Sequence, residues 1–228
     1  MRRVIVLLVV ILSRVSLFGQ DTAFILKETV NGAYHAIFID SNKNSTYYNR
    51  IASFGLNSSD SALYSESVKY LNEKYPGTFK KVNFDLPRQW VPLHYYQGKF
   101  YLYSPNDYMS NYLVGISDTT YIDYTGEGPV ASRISSFTQM DSNTYEFSVV
   151  AWTQPDRTIT IHILDKETGL AVFDDANAVV DPASHGYSVM VPAENIRQFP
   201  IIVNYGIQKF MEFRDFTEPD YKELLSEK

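Results

Sequence analysis

Trp90-Val91-Pro92-Leu93-His94-Tyr95-Tyr96-Gln97-Gly98-Lys99-Phe100-Tyr101-Leu102-Tyr103 holds two β-rich runs on either side of a Gln-Gly pair. Tyr, Phe and Val fit a pleated, half-buried backbone, and a glycine between such runs suits a two-residue hairpin turn. Folding about Gln97-Gly98 sets Tyr96 against Lys99, Tyr95 against Phe100, His94 against Tyr101 and Leu93 against Leu102. Because successive side chains alternate, this register predicts two faces. Val91, Leu93, Tyr95, Phe100 and Leu102 form an apolar one, expected in the core. Trp90, His94, Tyr96, Lys99, Tyr101 and Tyr103 form the other, which is aromatic and hydrogen-bonding at once. Stiff aromatic platforms with polar tips suit a ligand surface; the same residues also suit a partly exposed sheet face.

Two later runs alternate in the same way. In Thr158 to Leu164, Ile159, Ile161 and Ile163 share a face opposite Thr158, Thr160 and His162. In Thr144 to Trp152, Tyr145, Phe147 and Val149 oppose Glu146, Ser148 and Trp152. The candidate ligand-binding residues are therefore Trp90, His94, Tyr96, Tyr101, Tyr103, Trp152 and His162.

Outward from this hairpin, residues 81 to 173 read as strand after strand. Turn signals stand at Ser117-Asp118, Asp141-Ser142-Asn143 and Asp165 to Gly169, with a looser break at Gly126 to Pro129. Such spacing without long helices predicts a mainly β protein, an antiparallel meander forming a curled sheet, barrel or sandwich, with α+β as the second choice of class. Asn31-Gly32 between Phe24–Val30 and Ala33–Ile39 predicts a further hairpin that opposes Glu28 to His35. A two-helix insertion is expected near 45–76. Its first helix starts at Ser45 and carries Tyr47, Ile51 and Phe54; its second is capped by Ser59 or Asp60 and carries Tyr64, Val68, Leu71 and Tyr75. Shorter strands are expected at Tyr187–Val191, Ile201–Tyr205 and Lys209–Phe213, then a short C-terminal helix capped by Thr217. In strand pattern the chain resembles lipocalin-like barrels, but the Gly-x-Trp expected at their first strand is absent, so no membership or residue role follows.

The first residues carry a different signal. Met1-Arg2-Arg3, the apolar run Val4 to Leu12 and the small residue Gly19 follow the order of a secretory signal peptide. Ser13 and Arg14 end the apolar run well short of the roughly 20 residues a transmembrane span needs. The expected organisation is a removed signal at 1–19 and one mainly β domain over 20–228, exported to the periplasm, cell surface or extracellular space, with no stable membrane insertion after cleavage. Removal takes three of the 20 basic residues and none of the 26 acids, moving the formal charge from −6 to −9. Without a dense Lys/Arg patch, a nucleic-acid partner is not expected. The chain has no cysteine, which removes disulfides and thiolate chemistry and leaves stability to a packed core.

Motifs for chemistry are weak. Asp40 to Thr46 has alternate oxygen donors as in a calcium loop, but lacks the glycine at the sixth place and has Ile51 where the glutamate belongs. Gly126-x-Gly128-x-x-Ala131 mimics a dinucleotide fingerprint, yet Pro129 removes a needed amide. His35, His94, His162 and His185 lack metal-ligand spacing, although His94 and His162 could converge from separate strands. No metal or cofactor is expected. Among the carboxylates Asp123, Glu127, Asp174 and Asp175, the Asp174-Asp175 pair reads as solvated loop charge. The functional expectation is an exported, non-catalytic binding protein for a small molecule, glycan or envelope component, its protein partner unknown. The alternatives are a secreted polymer-active hydrolase, using a carboxylate pair or His94 as base, and a structural or assembly subunit that pairs through an edge strand.

Mass spectrometry of the protein from its native source is expected to place its N-terminus at or next to Gln20. An intact Met1 would refute export by this signal.

Overall fold

Both hairpin turns take the backbone their sequences require. In the computed structural model, which describes residues 22–76, 81–107, 111–152, 156–176, 186–206 and 212–226, φ is 53° at Asn31, 81° at Gly32, 49° at Gln97 and 79° at Gly98. Positive φ at both central residues gives a type I′ turn, whose twist matches that of the flanking strands. Glu28 faces His35, and His94, Tyr95 and Tyr96 face Tyr101, Phe100 and Lys99, in the expected registers.

The strands are β1 (Thr22–Val30), β2 (Ala33–Asp40), β3 (Gln89–Tyr96), β4 (Lys99–Ser104), β5 (Leu113–Ile116) and β6 (Thr120–Thr125). They continue with β7 (Gly128–Gln139), β8 (Thr144–Ala151), β9 (Arg157–Asp165), β10 (Leu170–Ala176), β11 (Gly186–Pro192) and β12 (Ile201–Gly206). Of the architectures open to the meander, the chain adopts a closed antiparallel barrel of eight strands, β3-β11-β10-β9-β8-β7-β6-β5. Two pairs, Gln89↔Gly115 and Trp90↔Val114, close it by joining β5 to β3. Beyond Trp90 the same edge of β3 is taken by β4, which opens a second layer, β4-β12-β2-β1. Its β12–β4 pairing is parallel; the other described pairings are antiparallel.

The barrel is a core, not a container. An eight-stranded barrel is just wide enough for side chains to fill. Trp90, Ile134, Phe147, Ile159, Ile161, Phe173 and Met190 fill this one, with Trp90 and Phe173 edge to face at 5.1 Å. The predicted alternation in β8 and β9 sends Phe147, Val149 and the three isoleucines inward. A second cluster, including Val91, Leu93, Leu102, Val189 and Ile201, fills the space outside the barrel wall.

The helical insertion is present as α1 (Tyr47–Ile51) and α2 (Ser58–Lys74). The first is shorter than expected: Phe54 lies beyond its end and packs edge-on against Tyr124 at 5.4 Å. The second is capped two residues or more before the expected Ser59 or Asp60, because the Asn57 side chain accepts from the Ser59 and Asp60 amides at 2.8 and 2.9 Å and so takes the cap. It packs on β7, where Arg133 donates to Asn72 at 2.7 Å. A 3-10 helix at Ala193–Gln198 had no sequence signal. The C-terminal helix α3 (Tyr221–Ser226) is capped by Asp220, which accepts from the Lys222 and Glu223 amides; Thr217 instead bridges to Tyr95. Gly126 to Pro129 is a tight turn, not a loose break, and the pairs Tyr124↔Pro129 and Thr125↔Gly128 put the dinucleotide-like glycines on a hairpin. Of the strand expected at Lys209–Phe213, residues 209–211 lie outside the described residues and Glu212-Phe213 are not strand. Residues 1–21 and His185 also lie outside them. Among the described residues no helix is long and apolar enough to cross a membrane.

Trp90→Ala is expected to destabilise the protein by about 3–5 kcal/mol in urea denaturation, the cost of a large cavity in a core that cannot collapse onto it.

Candidate functional site

The seven candidate residues divide into four groups. His94 and Tyr103 line a cleft of about 430 Å³. Tyr96 and Tyr101 stand beside them in an aromatic cluster, 6.1 Å apart, and Tyr101 is buried. Trp90 is wholly inside the barrel, with its indole N–H donating to the Pro87 carbonyl at 2.8 Å, and so has no surface to offer a ligand. Trp152 and His162 are elsewhere. The first packs on Tyr70 of α2 at 6.1 Å; the second sits on the outer face of β9, because Ile161 and Ile163 on either side turn inward. The convergence of His94 with His162 therefore does not occur.

The hairpin's aromatic face is roofed by the chain itself. Residues 212–217 cross it, placing Phe213 on Tyr96 at 5.3 Å and Phe216 on His94 at 4.6 Å, nearly parallel at 29°. Phe216 also meets Tyr103 edge-on at 5.1 Å, and the Thr217 amide donates to the Tyr95 carbonyl at 2.9 Å. What stays open lies where β3 leaves β5 for β4. There the cleft runs between Pro105, just past β4, and Tyr112, just before β5, with Ser188 of β11 and Phe216 to Tyr221 around it.

Burial dominates His94. Desolvation lowers its pKa to about 4, so the ring is neutral at ordinary pH and carries one donor and one acceptor nitrogen. Among the described residues none hydrogen-bonds either nitrogen; its neighbours are rings.

Tyr103 is fixed from behind. Its hydroxyl donates to Glu212 Oε2 and accepts from Asn204 Nδ2 at 3.3 Å and the Phe213 amide at 3.0 Å. Burial, then the bond to Glu212, pushes its pKa up. Asn204 continues inward: its Oδ1 meets His35 Nε2 at 2.9 Å, and His35 Nδ1 meets Glu28 Oε1 at 2.9 Å. With Asn204 Nδ2 committed to Tyr103 and Glu212, Oδ1 must accept from His35. Both imidazole nitrogens then donate, which is the protonated form. The His35 pKa is accordingly raised, chiefly by the hydrogen bond to Glu28 and against the opposing effect of burial.

Tyr112 is anchored differently. Its hydroxyl donates to Asp123 Oδ1 at 2.9 Å, and Asp123 Oδ2 pairs with Arg157 Nη2 inside the barrel end. Arg157 Nη1 pairs with Asp175 Oδ2 at 2.7 Å, and its guanidinium lies 5.3 Å from the centre of the Tyr121 ring. Burial raises the Asp175 pKa against the pull of Arg157. Asp175 is thus an interior strand residue, correcting the expectation of solvated loop charge. The calcium-like segment is a turn: Asp40 Oδ1 and Asn42 Oδ1 accept from the Asn42 and Asn44 amides, both at 2.9 Å. Among the described residues no group of three or more His, Asp or Glu could hold a metal.

Sequence reasoning missed Tyr112, Arg157, Asn204 and Phe216. Arg157, Asp123 and Asp175 carried a usable signal, since each stands two residues from an inward-facing Ile159, Tyr121 or Phe173. Asn204 and Phe216 carried none.

The His35 linkage sets a pH dependence. A pKa raised above 6.5 contributes stability that is fully present below about pH 6.5 and is lost as pH rises through the folded-state value. Urea midpoints for the wild type should therefore fall between pH 6 and pH 9, by about 1 kcal/mol for a partly exposed charged pair. His35→Gln should flatten that part of the profile.

No protein family, no curated protein and no solved structure matches this chain, so the cleft stands on its own geometry.

Proposed function

We propose that the protein is an exported, non-catalytic binding protein that takes a small organic molecule in the cleft beside His94. The observation that carries this reading is a neutral imidazole, walled by rings, whose two nitrogens have no protein hydrogen-bond partner among the described residues. His94 is half-buried in the cleft wall, so its nitrogens are within reach of a ligand, and one with a hydroxyl or amide would satisfy both. Tyr103 and Tyr112, each tied down behind the surface, supply rigid walls, so little ordering is needed on binding. Small-molecule sites are commonly apolar clefts of a few hundred Å³ with few polar anchors, and this cleft fits that description.

A hydrolase is less well supported. Asp123 and Asp175 do share a site, but both are bound to Arg157 within the barrel and neither lines the cleft. His94, with its pKa lowered to about 4, is a poor base at neutral pH. Export rests on the signal-like first segment, and a periplasmic, cell-surface or extracellular setting is the expectation that goes with it.

A thermal-shift screen of metabolites and soluble glycans is the direct test. A ligand present at about 100 times its dissociation constant should stabilise the fold by about 2.7 kcal/mol. His94→Phe, which keeps the ring stack but removes both nitrogens, should abolish the shift. A flat response across the screen would sink the proposal.

A further inference from the structure

We infer that the cleft selects an organic cation of the methylated or quaternary ammonium class, held on aromatic faces with Glu218 as its counter-charge. This rests on the reading of the cleft as a ligand site and adds the ligand's charge. Among the described residues six rings besides His94 line it: Tyr95, Tyr103, Tyr112, Tyr187, Phe216 and Tyr221. They are braced in pairs, with Tyr221 stacked on Tyr187 at 4.9 Å and 23°, and Phe216 on His94.

The charges around these rings are one-sided. Among the described residues no lysine or arginine lines the cleft, and Glu218 is its one carboxylate. Glu218 lies close enough to Tyr221 to help burial push that phenol up to about 12. An anion entering here would lose its water and meet no positive partner. A cation is attracted to such rings where it reaches their faces, an interaction that strengthens as water is excluded. His94, being neutral, does not repel it. The formal charge, −6 for the full chain and −9 without residues 1–19, attracts cations further. A neutral sugar ring would use the same platforms through its C–H faces, but it would gain nothing from Glu218.

Calorimetric titration at low salt with choline, its neutral isostere 3,3-dimethylbutan-1-ol and methyl glucoside separates these outcomes. Choline should bind about tenfold or more tighter than the isostere. Glu218→Gln, a change at an exposed side chain, should weaken choline by about threefold and leave the isostere unchanged. His94→Phe and Tyr221→Leu should each weaken choline, which places it in this cleft. Equal binding of choline and the isostere, or glucoside binding in place of choline, would overturn the charge assignment. Either result, if still lost in His94→Phe, would leave the cleft standing as a ligand site. Binding of none of the three, or choline binding indifferent to all three substitutions, would also overturn the inference.

Discussion

Two backbone pairs, Gln89↔Gly115 and Trp90↔Val114, carry an unusual share of this architecture. They close an eight-stranded ring that otherwise would be an open, twisted sheet with β5 exposed along its edge. They are also few. Because β5 holds β3 over only this short seam, the remainder of the β3 edge is free to pair with β4, and a second layer begins there. A strand shared in this way must diverge from one neighbour before it meets the next. The cleft occupies that divergence.

The location of the cleft follows from packing as well as topology. Trp90, Phe147, Phe173 and Met190 fill the barrel interior, and the cleft lies outside it. Along most of the outer wall, the second layer, α1 and α3 cover the apolar surface. At the branch no strand can provide cover, and the segment from Glu212 to Tyr221 does so incompletely. It seals Tyr96 and Tyr101 with Phe213 but leaves His94 and Tyr103 accessible from one side.

Much of the fold was legible from local chemistry. Asn31-Gly32 and Gln97-Gly98 demanded positive φ, and the alternation of isoleucines in β9 marked its inner face before any partner strand was known. The same alternation was informative about the site only in part. It grouped Trp90 with His94 and Tyr103 correctly as one face of a ribbon, yet that face changes environment along its length. At Trp90 it looks into the barrel; at His94 it looks into the cleft. Period-two reasoning assigns a side to each residue and is silent on what occupies that side. The roof over the hairpin comes from residues more than a hundred positions away, and its anchor, Glu212 on Tyr103, joins two segments with no shared sequence pattern.

The two polar networks make different demands on the same cleft. Arg157 with Asp123 and Asp175 places one guanidinium between two carboxylates at the barrel end, where removal of Arg157 would leave two neighbouring carboxylates without a counter-charge. That penalty makes the arrangement stiff, and Tyr112, hydrogen-bonded to Asp123, inherits the stiffness. The opposite wall is tied to a titrating chain. Tyr103 reaches Asn204, His35 and finally Glu28, whose side chain is 36% exposed. When His35 loses its proton it can keep a donor toward Glu28 or toward Asn204, but not both. Glu28 is exposed enough to turn into water, so the inner bond to Asn204 is the cheaper one to keep. Deprotonation then costs the side-chain link between Glu28 of β1 and His35, while the backbone ladder of β1 on β2 and the bond from Asn204 to Tyr103 do not depend on that proton.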